Sequence, residues 1–419
     1  MDHYKEYYKD KKMIDRFEQV QCFTQQELER RFAATRQVMQ EEEVELLLVL
    51  EGDWEGYSQW LIGSKTANMI IVPMEGNITA VYGDHLIGQN EIYDRQISQK
   101  HEIMPVSIPR LHPQIENVRG FNGYVLKELL KKYNGKKIGF IHLETMRADL
   151  RDYLKETIPE AVYKDITLAI DPVKVTKSAE EQEMIHNAVL LHEKVMGALP
   201  AIIRPGRTVQ QINAETRNLC FELGSGGAVC LNFALQFGND ADGPIIHHSD
   251  FVPYPERALE KGDRIFMLLE SNGIGGHFTA IGRNFCLGEP DPKIAEYWEL
   301  ALKMQDFAAE RLKPGVTVKE IFDANVTYIE SLGHRTNRQN YLHSLGYVFG
   351  ERPYLHDISE NIPLRENMVY LDHPHVRIDR GADTGKVLYD DLYAIDTYLV
   401  TKEGGKRQNR VPRELIMIE

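Results

Sequence analysis

An internal repeat in the second half of the chain is the feature that most limits how this sequence can fold. The segment IRPGRTVQQI begins at Ile203 and LKPGVTVKEI begins at Leu312, so the second copy follows the first by 109 residues. In each copy Pro-Gly is typical of a turn that ends one helix, and a threonine, Thr208 or Thr317, is placed to cap the next. This predicts a long-period duplication of one helix-helix-strand unit, not a solenoid of many short repeats.

The same offset relates two histidines. His247 begins the sequence HHSD, and His356 begins HDIS 109 residues later. In a duplicated fold, equivalent positions converge on the axis between the copies, where a pocket is a natural place for a ligand. An imidazole titrates near about pH 6.5 and can transfer protons at neutral pH. We therefore predict that His247 and His356 are catalytic residues of one pocket, with His248 close to the substrate.

Two domains are expected from the pattern along the chain. In the first part, short apolar runs such as 46–50 alternate with helical segments, as in an α/β layer. Ser178, with Glu181 three residues later, then forms a capping box before a long amphipathic helix. We place an N-terminal α/β domain at residues 1–172 and a C-terminal domain at 173–419.

Charge and composition exclude several classes of partner. The formal net charge is -14 and basic residues form no large cluster, so nucleic acid is not an expected partner. The N-terminal sequence MDHYKEYYKDKK has no apolar core of a signal peptide, and the longest apolar run, 44–50, is too short to span a bilayer. The 4 cysteines are too scattered for a disulfide framework. These features predict a cytoplasmic protein without membrane attachment.

Seven short features occur in a fixed order after about residue 170. They are VKVTKSAEEQEMIHNA, RPGRT, a histidine before a Gly-Asp strand, GGHFTAIGRNFCLG, KPGVT, HSLG and NMVYLDHP. In this order they resemble the pita-bread superfamily, which includes creatinase, aminopeptidase P, prolidase and methionine aminopeptidase. The first domain resembles the N-terminal domain of creatinase more loosely. The resemblance implies an α+β protein in which a duplicated pita-bread domain follows a creatinase-like α/β domain.

The resemblance also implies where metal ligands would lie. Metallopeptidases of this superfamily hold two metal ions with two aspartates, one histidine and two glutamates. In this sequence the five positions are Leu269 or, with a one-residue shift, Glu270, then Ala280, His343, His373, and Ile395 or Asp396. An alanine cannot bridge two cations, and a dinuclear site needs a bridging carboxylate. Loss of the dinuclear centre is therefore implied, and neither a metal nor another cofactor is expected.

Creatinase is the member of this superfamily that acts on a C–N bond without a metal, and its catalytic histidine maps onto His247. Two of its glutamates map onto Gly282 and His373, which argues against creatine itself as the substrate. Arg352 lies where creatinase has an arginine that binds the substrate carboxylate. A planar guanidinium suits that role, although a surface salt bridge is an equally open interpretation.

An aromatic segment of the first domain, EGDWEGYSQWLIG, contains Trp54, Tyr57 and Trp60. The resemblance to creatinase implies a homodimer in which this segment reaches into the partner's pocket, so that Trp54 and Tyr57 contact the substrate. Packing within the chain is equally consistent with three aromatic residues.

The leading hypothesis is a hydrolase that cleaves a C–N bond of a small amino-acid-like substrate by metal-independent acid–base catalysis. His247 is the expected acid or base, and the other expected catalytic residues are Glu270, His343, His356 and His373. One alternative is an Xaa-Pro dipeptidase-type metallopeptidase with an atypical mononuclear site at Glu270, His343 and His373. A non-catalytic binding protein and a lyase on the same fold are also open, because reaction type does not follow from fold.

Overall fold

The chain divides into two compact units, unit 1 (Met1–Lys174) and unit 2 (Val175–Glu419). The computed structural model describes residues 23–50, 55–63, 67–82, 104–105, 112–119, 129–225, 229–238, 245–248, 256–273, 275–336, 342–355, 357–374, 376–377 and 394–419. None of the helices in these ranges is long and apolar enough to cross a membrane.

Unit 1 is an α/β layer, as predicted. Its helices are α1 (Gln25–Glu41), α2 (Tyr57–Ile62), α3 (Ala148–Thr157) and α4 (Thr167–Val175), with 3-10 turns at Lys131–Tyr133 and Leu143–Thr145. Its strands are β1 (Leu46–Val49), β2 (Met69–Pro73), β3 (Ile78–Tyr82), β4 (Met104–Pro105), β5 (Ile115–Arg119), β6 (Lys137–Phe140) and β7 (Val162–Asp165). The described strands form one mixed sheet in the order β4-β5-β3-β2-β1-β6-β7.

The core of unit 1 lies where the sheet meets α3. Leu46 and Leu48 of β1 pack in one apolar cluster with Ile138 of β6 and with Leu154 of α3. Strands β1, β6 and β7 run parallel to one another, so the chain must cross over between them, and α3 lies in the connection from β6 to β7. The alternating apolar runs of the sequence therefore correspond to buried strands of a mixed sheet, in which β2 is antiparallel to both of its neighbours.

Unit 2 contains two five-stranded sheets, and four strands of each follow the same antiparallel order, while the fifth strand is parallel in the first sheet and antiparallel in the second. Its helices are α5 (Ala179–Ile202), α6 (Val209–Glu222), α7 (Pro292–Ala309) and α8 (Val318–Ser331). Its strands are β8 (Val229–Gln236), β9 (Ile245–His248), β10 (Arg264–Asn272), β11 (Phe278–Leu287), β12 (Arg335–Thr336), β13 (Leu342–Ser344), β14 (Glu351–Tyr354), β15 (Val369–Asp372), β16 (Val376–Arg377), β17 (Asp396–Thr401), β18 (Gly404–Arg407) and β19 (Ile416–Ile418). The first sheet has the order β9-β8-β10-β11-β19 and the second has the order β14-β13-β15-β17-β18, while β12 pairs with β16 alone.

The duplication seen in the sequence is present in the structure. Helices α6 and α8 have 14 residues each and begin 109 positions apart, at residues 209 and 318. Thr208 caps α6 by accepting a hydrogen bond from the backbone N of Gln211 at 3.3 Å, and Thr317 caps α8 by accepting one from Glu320 at 3.1 Å. The same capping box therefore begins the repeated helix in both copies.

The two sheets of unit 2 pack face to face. One apolar cluster contains inward side chains of the first sheet, including Phe266 and Leu268, together with Leu371 and Ile395 of the second. The opposite face of the second sheet packs on helices α7 and α8, where Tyr370 lies in a separate cluster. Because side chains alternate along a strand, every odd-numbered residue of β15 points toward the first sheet.

Candidate functional site

Glu270 projects from the first sheet toward the second. It lies two residues after Leu268 on β10, and it pairs directly with Ala280 on β11 and with Cys230 on β8. Leu269 points to the other side of the sheet. Strand register therefore identifies Glu270, not Leu269, as the residue that faces Ala280 across the strands.

The environment of Glu270 brings its titration to neutral pH. The side chain is partly buried at the end of an apolar strand, and this burial raises its pKa to about 7. A carboxyl group with this pKa is about half protonated at neutral pH, so it can both donate and accept a proton.

His343 and His373 project from the second sheet toward the first. His343 pairs with Leu371 across β13 and β15, and His373 follows Leu371 by two residues, so both lie on the face that meets the first sheet. Their rings form an edge-to-face pair with centroids 5.2 Å apart. The structure thus brings these two predicted site residues together. They lie on the face of the second sheet that packs against the first sheet, from which Glu270 projects.

The tautomer and charge of His343 follow from its surroundings. Its Nδ1 lies 3.2 Å from the carbonyl oxygen of Ser344, which can only accept, so Nδ1 donates and Nε2 keeps its lone pair. Burial lowers the pKa of His343 to about 4. This histidine is therefore neutral at pH 7.

Two of the five positions expected to hold metal ligands are occupied by hydrocarbon. Ala280 and Ile395 are both buried in the apolar cluster between the sheets, and the hydroxyl of Thr397 bonds the backbone N and O of Ala280 at 3.1 and 3.0 Å. A Cβ on Gly282 would lie 2.7 Å from the ring of Phe266 and 3.0 Å from Ile395, so little space is left beside them.

Asp396 faces away from this site. Its Oδ1 accepts hydrogen bonds from Arg283 at 2.8 Å and from Asn409 at 2.6 Å on the other face of the sheet. The last expected ligand position is therefore Ile395. Across the part of the chain that the structure describes, no three His, Cys, Asp or Glu side chains are grouped so that they could hold a metal ion.

The predicted symmetry of His247 and His356 is not reproduced by the strand register. His247 pairs with Ala234 on β8. The residue 109 positions after Ala234 is His343 on β13, and it pairs with Tyr354, two residues before His356. A bulge after His343 shifts the pairing of β13 with β14, and β14 ends at Tyr354. His356, Trp54 and the side chains of His247 and His248 lie outside the described residues, so their roles stay predictions.

Arg352 makes a salt bridge within its own sheet region. It is 8% exposed, and its Nε donates to Oδ1 of Asp357 at 3.2 Å. The same carboxylate oxygen accepts a hydrogen bond from the backbone N of Ser359 at 2.9 Å. A salt bridge was the second interpretation of Arg352, but it was expected at the surface and this one is buried. Binding of a substrate carboxylate stays a prediction.

Tyr57 differs from its expected role as a substrate contact on a reaching segment. It is 1% exposed in the interior of unit 1, and its hydroxyl donates to the carboxylate of Asp171. The ammonium of Lys174 lies 4.7 Å from its ring centroid. Tyr57 begins helix α2, and this helix turns the ring into the core of its own unit.

Sequence reasoning missed a buried histidine behind Glu270. The Nε2 of His192, on α5, lies 2.7 Å from the hydroxyl of Ser271, and its Nδ1 lies 3.2 Å from the hydroxyl of Thr279. Ser271 and Thr279 are direct partners on β10 and β11, one position along from Glu270 and Ala280. Burial lowers the pKa of His192 to about 3, so it is neutral and ties the helix to both strands. Its place among the apolar residues of the predicted helix was the signal that could have revealed it.

Comparisons with known proteins agree with this architecture. The chain is 26% identical over 286 residues to an Xaa-Pro dipeptidase of Pyrococcus furiosus, and this alignment covers 65% of this chain and 74% of that protein. It is also 26% identical over 270 residues to a creatinase of a Bacillus species, and that alignment covers 62% of this chain and 64% of the creatinase.

Solved structures share the fold over nearly the whole chain. An X-Pro aminopeptidase from Thermotoga maritima aligns with a TM-score of 0.70 at 18% identity, over 92% of this chain and 99% of that one. The N-terminal domain of the FACT complex subunit SPT16 from chickpea aligns with a TM-score of 0.67 at 14% identity, over 94% and 100%. Residues 183–402, more than half of the chain, match the model of metallopeptidase family M24. The predicted fold is thus confirmed, and the chain belongs to metallopeptidase family M24.

Proposed function

We propose that this chain is a hydrolase that cleaves a C–N bond in a small amino-acid-like compound and that it works without a dinuclear metal centre. Membership of the family and the similarity to dipeptidases and a creatinase support a hydrolase. The proposal that no dinuclear centre is present depends on one observation, which is that Glu270 on β10 pairs directly with Ala280 on β11.

The donor set argues against two metal ions. Hard divalent cations require several oxygen ligands, and a dinuclear centre requires a carboxylate that bridges them. Ala280 and Ile395 supply no donor atom, and both pack against other hydrocarbon side chains. The carboxylate of Glu270 and the imidazoles of His343 and His373 are what remains, and these three do not fit the dinuclear site of the family.

The same three residues are suited to proton transfer. In the proposed reaction Glu270, with a pKa of about 7, accepts a proton from a water molecule as its oxygen attacks the carbon of the C–N bond. That proton then passes to the leaving nitrogen as the bond breaks. Neutral His343 offers the lone pair of Nε2 to orient the water or substrate, while His247 and His356 stay predicted partners in the same transfers.

Metal analysis tests this proposal directly. We expect the purified protein to contain less than about half an equivalent of transition metal, and we expect EDTA to leave its activity unchanged, because two of the five expected ligand positions, Ala280 and Ile395, carry no donor atom. Activity would be screened on creatine, N-acylated amino acids and Xaa-Pro dipeptides. Two tightly bound ions, or loss of activity on chelation with recovery on adding metal, would contradict the proposal.

An Xaa-Pro dipeptidase with one metal ion is the second candidate. The similarity to the dipeptidase of Pyrococcus furiosus favours it, and one carboxylate with two imidazoles is an acceptable zinc set. Because the described structure does not group Glu270, His343 and His373 closely enough to hold an ion, this candidate requires these side chains to move together when zinc binds. One equivalent of zinc and chelator-sensitive cleavage of Xaa-Pro dipeptides would select this candidate.

A binding protein without catalysis is a third candidate, and the likeness to the SPT16 domain motivates it. The pKa of Glu270 near neutrality argues against it, because a pure binding surface has no need of such a group. A homodimer also stays a prediction, and a monomer by light scattering would contradict it.

A further inference from the structure

A second polar cluster lies behind the second sheet of unit 2, on the face opposite His343 and His373. Asp372 on β15 and Asp396 on β17 are direct partners in the antiparallel register, and both are 0% exposed. Directly opposed side chains in such a pair have Cβ atoms about 4.5–5.5 Å apart. Two buried carboxyl groups therefore lie side by side between the sheet and helix α7.

The hydrogen-bond donors next to these carboxyl groups already bond to Oδ1 of Asp396 or to backbone carbonyl oxygens. Arg283 and the Nδ2 of Asn409 both donate to Oδ1 of Asp396, at 2.8 and 2.6 Å. The amide of Gln305 donates to the backbone carbonyls of Asp372 and Ala394 at 3.3 and 3.1 Å.

Four buried oxygen atoms of the cluster are left without a donor from the described parts of the chain. They are Oδ1 and Oδ2 of Asp372, Oδ2 of Asp396 and Oδ1 of Asn409. Each is an acceptor, and Asn409 is only 4% exposed. Buried polar atoms of native proteins nearly always have a partner, so a group of four orphan acceptors indicates a species that is not part of the chain.

The charges of the cluster do not cancel. Asp372 and Asp396 carry two negative charges when ionised, and fully buried Arg283 supplies one positive charge. Arg413 is engaged with Asp306 through two contacts of 2.6 and 3.2 Å, so that pair adds no net charge. With both carboxyl groups ionised, one negative charge remains, and a buried charge without compensation is strongly unfavourable. In the absence of a cation, burial and then the neighbouring Asp396 raise the pKa of Asp372 well above its usual range, so either a cation or a proton must offset this charge.

We propose that Asp372, Asp396 and Asn409 bind a small monovalent cation, such as sodium or potassium, behind the second sheet. Oxygen atoms are the ligands that hard cations prefer, and a single positive charge matches the single excess negative charge. A water molecule donates only two hydrogen bonds, so it would satisfy half of the four acceptors and leave the charge unbalanced.

The cation is expected to stabilise the end of β15. Asp372 is the last residue of this strand, and His373 follows it on the face that meets the first sheet. A ligand that holds Asp372 against Asp396 therefore holds the backbone from which His373 projects. This role does not depend on which reaction the protein catalyses.

Thermal unfolding in different salts tests the site. The full chain would be melted near neutral pH in sodium, potassium or tetramethylammonium chloride at equal ionic strength, because tetramethylammonium is too large to enter the cluster. At a tenfold excess over the dissociation constant, a small cation should raise the Tm by about 3 °C. Asp372→Asn removes the excess charge and should abolish this difference, whereas Asp323→Asn, at a half-exposed carboxylate on α8, should keep it.

A second measurement does not depend on any variant. Thallium(I) soaked into crystals of the wild-type protein should give an anomalous peak between the carboxyl groups of Asp372 and Asp396. Equal Tm values of the wild type in all three salts, or a cation effect that persists in Asp372→Asn, would overturn the proposal. A thallium map without a peak at this place would overturn it as well, and would leave a proton or water as the species that satisfies the oxygens.

Discussion

Replacing Glu270 by glutamine is expected to reduce turnover by roughly 10²- to 10⁴-fold, because an amide of the same shape can neither accept nor return a proton. Burial raises the pKa of Glu270 to about 7, so this carboxyl group can exchange a proton near neutral pH. The rate would be measured on whichever compound of the substrate screen is cleaved. Glu330→Gln, at an exposed position of α8, serves as the matched control and should leave the rate unchanged.

The same variant has a consequence for stability that needs no substrate. In the unfolded chain Glu270 loses its proton near the ordinary value of 4.5, but in the native protein it holds the proton up to about pH 7. Between these values the native state binds more protons than the unfolded state, so its stability falls as the pH rises. From about pH 5 to about pH 8 this group should cost the wild type up to about 3 kcal/mol of unfolding free energy.

Glu270→Gln should remove that cost. Urea unfolding at the two pH values would show a smaller loss of stability for the variant than for the wild type. Parallel losses in the two proteins, together with unchanged turnover, would show that Glu270 neither titrates near neutrality nor transfers protons.

Replacing Lys177 by methionine is expected to destabilise unit 2 by about 3–5 kcal/mol, because it removes the ammonium that is paired with a buried carboxylate. The Nζ of Lys177 lies 2.7 Å from Oε2 of Glu351, and both side chains are 0% exposed. Oε1 of Glu351 accepts a hydrogen bond from the backbone N of Tyr347 at 3.1 Å, so the carboxylate is held in place and has no path to water.

An exposed ion pair of the same unit supplies the control. Lys319 and Asp323 form an i, i+4 pair on α8 with side chains 44% and 51% exposed, and Lys319→Met should cost less than about 1 kcal/mol. The double variant Lys177→Met/Glu351→Gln should recover part of the loss, since it also removes the buried negative charge that Lys177 balances. If Lys177→Met and Lys319→Met had equal effects on urea unfolding, the buried pair would not have the role assigned to it.

Much of the fold could be predicted from local patterns in the sequence. Ser178 and Glu181, and then Thr208 and Thr317 in the repeat, mark the beginnings of helices where the structure has them. A capping box needs residues only three positions apart, and an apolar strand needs a run of a few residues. Such signals depend on neighbours along the chain, so the sequence contains them directly.

The direction of each site side chain was decided by tertiary structure. Sequence could not choose between Leu269 and Glu270, or between Ile395 and Asp396, because a shift of one residue turns a strand's side chains to the opposite face. Register with Ala280 selects Glu270, and the hydrogen bonds of Asp396 to Arg283 place it behind the sheet.

Two further differences have the same origin. Extra residues in β14 shift its pairing with β13, so that His343 pairs with Tyr354, and helix α2 turns Tyr57 into the core of unit 1. The sequence by itself determined the order of elements, the duplication and the chemical types of residue available to the site. Which of them meet depends on pairing between segments about one hundred residues apart, and that pairing is set by packing of the whole unit, not by local sequence.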